Sequence, residues 1–165
     1  MRTVKIEELE VETFLPFGSY AHMLDPEAEK IGKEPIEFYR DMIQQDLGGK
    51  AIVSFSTCRV EKRSLVIDVT EYHTETGEGC LALDNDILIH VGPATAGGVP
   101  PLDKIRVFRV PQGTMVVLRP GVWHHAPFTV DSRPANVLIV LPERTYANDC
   151  IVVELKKADQ IAISV

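Results

Sequence analysis

The chain is predicted to fold as an all-β protein, a jelly-roll barrel with one or two short helices near its N-terminus. Three observations carry this expectation. Short β-branched runs recur from Lys50 onward between turn residues, the rhythm of a sandwich or barrel. Only one segment, before residue 50, repeats its apolar residues at helical spacing. The 165 residues, 45% hydrophobic and 25% charged, match one ordinary globular domain with a substantial core. A single domain over 1–165 is therefore expected, with 1–49 as an N-terminal arm and 50–165 as the barrel.

In chain order, Thr3–Glu8 alternates weakly and reads as a strand. Glu10–Phe14 reads as one or two helical turns ended by Pro16, with Gly18 able to take a left-handed conformation. Ala21–Glu34 is polar and reads mostly as loop. Pro35–Leu47 places Ile36, Tyr39, Ile43 and Leu47 on one helical stripe, closed by Gly48 and Gly49; an irregular arm across the barrel is the alternative. Strands are then expected at Ala51–Phe55, Ser64–Thr70, Gly79–Leu83, Ile87–Val91, Ile105–Val110, Thr114–Leu118, Val137–Leu141, Ile151–Leu155 and Ile161–Val165. Gly92–Pro101 is a Gly/Pro loop between two of them.

The net charge of −7 disfavours nucleic acid and anionic membrane as partners, while a small anionic substrate can still meet a local Arg. The opening MRTVKIEELE has no apolar core, so neither a signal peptide nor a membrane span is expected there. Cys58, Cys80 and Cys150 are odd in number and widely spaced, with no CxxC pattern. They read as buried thiols of a cytoplasmic protein. Open barrel edges favour association, and terminal strands free to cover a partner's edge suggest a homodimer.

The chemistry concentrates in two stretches. In RPGVWHHAPF (Arg119–Phe128), Pro120 and Gly121 make a turn, and an extended run then carries two histidines. Strand alternation sends His124 and His125 to opposite faces. Gly113, five residues, a proline position held by Arg119, one residue, Gly121, two residues and His124 reproduce the second cupin motif, which selects His124 as the inward residue. In VTEYHTETGEG (Val69–Gly79), Glu71 and His73 share a face by their offset of two, and a turn over Thr74–Gly77 can return Glu78 beside His73. The first cupin motif has His-x-His, four residues, then Glu; Glu71 stands at the first His position, while His73 and Glu78 match. Two carboxylates and two imidazoles suit a divalent metal such as Zn, Mn, Fe or Ni. The plainer readings are a packed core histidine and surface glutamates on a hairpin. His22 reads as loop surface, and His90 as a core or strand-end residue.

Taken together, these segments resemble the ureidoglycolate lyase family (formerly ureidoglycolate hydrolase) of the cupin superfamily. FLPFGSY (Phe14–Tyr20), EFYRD (Glu37–Asp41), Arg59 within SFSTCRV, TEYHTETGE, IRVF (Ile105–Phe108), GVWHHAPF and NDC (Asn148–Cys150) follow the family's order across nearly the whole chain. Two positions depart from it: Glu78 stands where a Gln is expected, and the proline after the histidine pair comes one residue late.

The resemblance implies a cupin-type double-stranded β-helix that releases urea from ureidoglycolate and leaves glyoxylate, a step of allantoin and purine breakdown. On that reading Arg59 holds the substrate carboxylate with a bidentate fork. His124 or Glu71 acts as base and His73 or Glu78 as acid, or a metal held by Glu71, His73, Glu78 and His124 polarises the hydroxyl. Two other classes remain open at this level: another metal-dependent cupin enzyme, such as a sugar isomerase or a dioxygenase, and a non-catalytic barrel that binds a small acid.

Overall fold

The computed structural model describes residues 2–24 and 26–165. It is built almost wholly from strands. The first part contains β1 (Arg2–Glu8), the single-turn α1 (Val11–Phe14), β2 (Gly18–His22) and a hairpin of β3 (Lys30–Lys33) and β4 (Ile36–Tyr39). There follow β5 (Val53–Val60), β6 (Val66–Ile67), β7 (Val69–Tyr72), β8 (Glu78–Ala82), β9 (Ile87–Val91), β10 (Arg106–Val110), β11 (Thr114–Leu118) and β12 (Phe128–Thr129). The chain closes with β13 (Ala135–Pro142), α2 (Thr145–Asn148), β14 (Ile151–Glu154) and β15 (Ile161–Ser164).

Two curled sheets face each other, the cupin arrangement. One runs β12-β9-β10-β1-β15-β6 and the other β2-β11-β8-β13-β5, with a separate β7–β14 pair. Side chains from both sheets meet in a core that includes Phe14, Phe108, Ile89, Val116, Leu118, Val137 and Ile139. The other face of the first sheet buries Leu88, Val107, Phe128, Ile161 and Ile163. β9 therefore has both faces covered, and all five of its residues are buried. Its continuous apolar run follows directly, because neither face of the pleat meets water.

The strand rhythm after Lys50 is realised, with shifts of one or two residues at most ends. Ser64–Thr70 is broken into β6 and β7, and β5 runs on to Val60. β2, β3 and the two-residue β12 arise where the sequence reads as loop or turn. Residues before 50 are more than an arm. β1 lies inside the first sheet, parallel to both β10 and β15, and β2 extends the second sheet beside β11. The termini are thus paired on both sides, which removes the free terminal strands on which the expected dimer was argued.

The helix expected over Pro35–Leu47 is absent. Residues 36–39 pair with 30–33, and the chain then crosses the barrel as an irregular arm, the alternative reading of that segment. The apolar stripe fails as a helix because other groups claim the backbone and side chains. Gln45 Nε2 donates to the carbonyls of Gly77 (2.9 Å) and Val140 (2.8 Å), and the Gly77 amide donates to the Asp46 carbonyl at 2.8 Å. These bonds pin the segment to the turn that delivers Glu78, while Ile36 and Phe38 stay exposed.

Candidate active site and metal centre

Backbone pairing joins the two motifs before any side chain acts. Glu71 and His124 face each other in an isolated antiparallel bridge. The Glu71 amide donates to His124 O at 2.6 Å, and the His124 amide donates to Glu71 O at 2.8 Å. Residues opposed in this way project to the same face. A third bond, from the Gly121 amide to His73 O at 2.6 Å, fixes the next residue pair. Gly121 has φ +82°, and a Cβ there would lie 2.9 Å from that of Ala94, so the turn into Val122–His124 requires glycine.

Both imidazoles are oriented by backbone carbonyls. His73 Nδ1 donates to Asp149 O at 2.6 Å, and His124 Nδ1 donates to Val122 O at 2.8 Å. Each ring therefore turns Nε2 toward Glu78, whose Oε2 lies 3.0 Å from His73 and 3.2 Å from His124. Asp149 also fixes the turn between them: its carboxylate accepts from the Thr74 amide (2.7 Å), the Thr74 hydroxyl (2.6 Å) and the Glu75 amide (2.8 Å). Glu71, His73, Glu78 and His124 are all buried. All four predicted site residues thus converge.

Burial by itself would raise the pKa of Glu78, but His124 and His73 outweigh it and hold the carboxyl far below the usual range. Conversely, burial works against a charged His124, and the Glu78 carboxylate overcomes it and raises that pKa. Opposite charge at hydrogen-bond distance decides both.

The donor set fits a divalent metal. One ligand atom each from Glu71, His73 and His124 lies within 4.8 Å of the others, close to the span that roughly 2.0–2.2 Å bonds to one ion allow. Nδ1–H bonds to carbonyls, which direct Nε2 into the site, are the usual outer support of metal-binding histidines.

Beside this cluster opens a cavity of about 200 Å³, lined by Glu71, Glu78 and His124 on its polar side and Ile89, Leu118 and Ile139 on its apolar side. His125 lines it too, which corrects the expectation that it faces away. Parity applies only to a continuous strand, and the chain here has isolated bridges at Trp123 and His124 and then bends at Ala126. His125 keeps a buried Nδ1 without a partner, and burial lowers its pKa despite the pull of Glu71. His22 is exposed at the end of β2, and His90 is buried in β9.

Arg59 is the second correction. It lies outside the cavity lining, is half exposed, and sits 3.7 Å from Glu61. Cys58 faces the cavity, so its neighbour on β5 must face out. Arg63 is not in the cavity lining either, but it holds two residues that are. Its Nη2 donates to the carbonyls of Ala126 (2.7 Å) and Pro127 (3.1 Å), and its guanidinium lies 3.8 Å over the Phe128 ring. Tyr146 also lines the cavity; burial, then Glu78 and Glu71, push its phenol pKa up. Of the cysteines, Cys80 is buried, Cys58 and Cys150 half-buried, and all three are free thiols. Desolvation, then Glu71, push Cys150 up to about 12; burial and then Glu78 raise Cys80 well above its ordinary value.

The chain is similar to several known proteins. The dTDP sugar isomerase of Desulfovibrio desulfuricans G20 shares the fold, at TM-score 0.52 and 15% identity, over 87% of this chain and 89% of that one. Bacillus subtilis oxalate decarboxylase aligns at TM-score 0.44 and 17% identity over 62% of this chain, which spans only 24% of its length. The ureidoglycolate lyase of Pseudomonas aeruginosa (strain LESB58) is 27% identical over 154 residues, covering 91% of this chain and 89% of the relative. That of Pseudomonas syringae pv. syringae (strain B728a) is 29% identical, over 91% of this chain and 88% of the relative. The family model described as ureidoglycolate lyase matches residues 1–162, and the chain belongs to that family.

Proposed function

We propose that the protein is a cytoplasmic ureidoglycolate lyase that breaks the carbon–nitrogen bond of ureidoglycolate to give urea and glyoxylate. The observation that carries the reading is that Glu71, Glu78 and His124 line one small cavity and His73 joins them through Glu78, in a chain of this family. The cavity is smaller than the roughly 300–1,000 Å³ of pockets for drug-sized ligands, which suits a small acid and disfavours a nucleotide sugar.

Glu71, His73 and His124 would hold a divalent metal, drawn from Zn, Mn, Fe and Ni. When bound, it would supply Lewis-acid polarisation of the substrate hydroxyl. Glu78 accepts the hydroxyl proton at Oε2. The carbonyl of glyoxylate forms as the C–N bond breaks, the bonding pair leaves on nitrogen, and the same proton passes from Glu78 to that nitrogen. Arg63 keeps the cavity residues Ala126 and Pro127 in place through their carbonyls. The apolar wall of Ile89, Leu118 and Ile139 keeps water from the reacting carbon.

The test is incubation of the purified protein with ureidoglycolate, with glyoxylate followed and bound metal measured. Glyoxylate release with stoichiometric metal upholds the reading. Metal without glyoxylate points to another metal-dependent cupin enzyme, and neither metal nor turnover to a binding barrel. We also propose a homodimer. Among the described residues β5 ends its sheet, paired only with β13, and exposes Phe55, so its open edge is the natural contact for a second copy.

A further inference from the structure

We propose that Cys80 and Cys150 are positioning residues of this centre, each thiol holding one oxygen of a site carboxylate so that Glu78 and Glu71 each present a single oxygen to the ligand space. The inference rests on the reading of the site as a lyase centre only for its consequence in metal binding; the contacts themselves do not depend on it.

The chain brings each thiol to its carboxylate by a different route. Cys80 follows Glu78 by two residues on β8 and shares its face. Its Sγ lies 3.3 Å from Glu78 Oε1, on the oxygen that the imidazoles leave free, since both Nε2 atoms meet Oε2. Cys150 immediately precedes β14, where Ile151 pairs with Tyr72 and Val152 with Glu71. That register sets it beside the Glu71 end of β7, and its Sγ lies 3.3 Å from Glu71 Oε2. The preceding residue, Asp149, gives its carbonyl to His73. The Asp149–Cys150 pair therefore steadies one imidazole and one carboxylate at once.

Such holding is needed because the terminal torsion of a glutamate is broad. A carboxylate on a strand is placed by its backbone but not turned by it. A thiol is a weak donor, yet in a buried site an oxygen with no partner is costly, so a weak donor suffices to set the rotation. Productive site geometry tolerates only roughly 10–20° of such rotation. Cys58 lines the same cavity without a hydrogen bond to either carboxylate among the described residues, and it serves as an internal reference.

Infrared spectroscopy of the S–H stretch reads the contacts directly. Bands are assigned by their loss in Cys80→Ser and Cys150→Ser. The Cys80 and Cys150 bands are expected below that of Cys58. Glu78→Gln should move the Cys80 band toward the Cys58 position, and Glu71→Gln should do the same for Cys150. The second readout is manganese(II) titration followed by electron paramagnetic resonance. Manganese prefers carboxylate and water over sulfur, so a change on removing a thiol reports on the carboxylates rather than on a lost metal–sulfur bond. Cys150→Ala should weaken manganese binding roughly 10–100-fold, and Cys150→Ser, which keeps an O–H donor, should recover most of it. Bands that coincide with Cys58 and ignore the glutamine variants would overturn the proposal, as would a Cys150→Ala variant with wild-type manganese affinity. If the wild-type protein takes up no manganese, the metal reading fails and the infrared bands alone decide the thiol contacts. Should Cys150→Ala not fold, the infrared measurement decides for that residue, as it does for Cys80.

Discussion

His124 Nε2 and Glu78 Oε2 meet at 3.2 Å across 46 residues of sequence. One comes from the Gly121 turn and the other from the start of β8. Neither position alone says more than "buried histidine" or "buried glutamate". Together, with His73 on the same oxygen, they make a charged cluster that a lone buried carboxylate could not sustain.

His124→Ala is expected to abolish metal uptake and turnover, because it removes a ligand and one of the three hydrogen-bond partners of Glu78. His125→Ala should leave metal uptake intact and raise KM about five- to tenfold, the loss of roughly one hydrogen bond to a bound ligand. Metal analysis and steady-state kinetics of the two variants check this. The reverse pattern would exchange the roles of the two histidines.

Arg63→Met should raise KM about five- to tenfold with a smaller effect on kcat, because it frees the Ala126–Pro127 stretch of the cavity wall at a cost of roughly one hydrogen bond. Arg59→Met should change KM little, since its exposed contact with Glu61 contributes almost nothing. Kinetics with ureidoglycolate distinguish the two arginines. Equal losses would return Arg59 to the site.

Buried His90 makes the metal-free protein less stable on mild acidification. Burial, aided by His124, His125 and Arg63, holds its pKa well below the ordinary 6.5. The unfolded chain therefore takes up a proton below about pH 6.5 that the native state refuses. This contribution is present above pH 6.5 and is lost as pH falls from there toward the depressed value. It amounts to at most about 1.4 kcal/mol per pH unit. Urea unfolding of wild type and His90→Gln across that window should show a flatter pH profile in the variant. Parallel profiles would mean that His90 is protonated in the fold.

Sedimentation at micromolar concentration should show a dimer, and Phe55→Glu should convert it to monomer without loss of fold. A wild-type monomer would end the proposal of a dimer through β5.

The strand rhythm after Lys50 was legible because alternation and turn chemistry are properties of a few adjacent residues. So was the four-residue cluster, which needs only the offset of two between Glu71 and His73 and a glycine turn before His124. What no local pattern contains is which competing contact wins. Pro35–Leu47 carries a helical stripe, yet the carbonyls of Gly77 and Val140 take Gln45 and draw the segment out across the barrel. Parity separated His124 from His125 only while the strand was assumed to continue, and the bend at Ala126 ended it. Arg59 and Arg63 were equivalent as letters; the face of β5 turned the first outward, and the Ala126 and Pro127 carbonyls claimed the second. Sequence by itself determined the barrel and the acids and imidazoles that meet in it. Tertiary structure alone decided their hydrogen-bond partners, because those contacts join residues far apart in the chain.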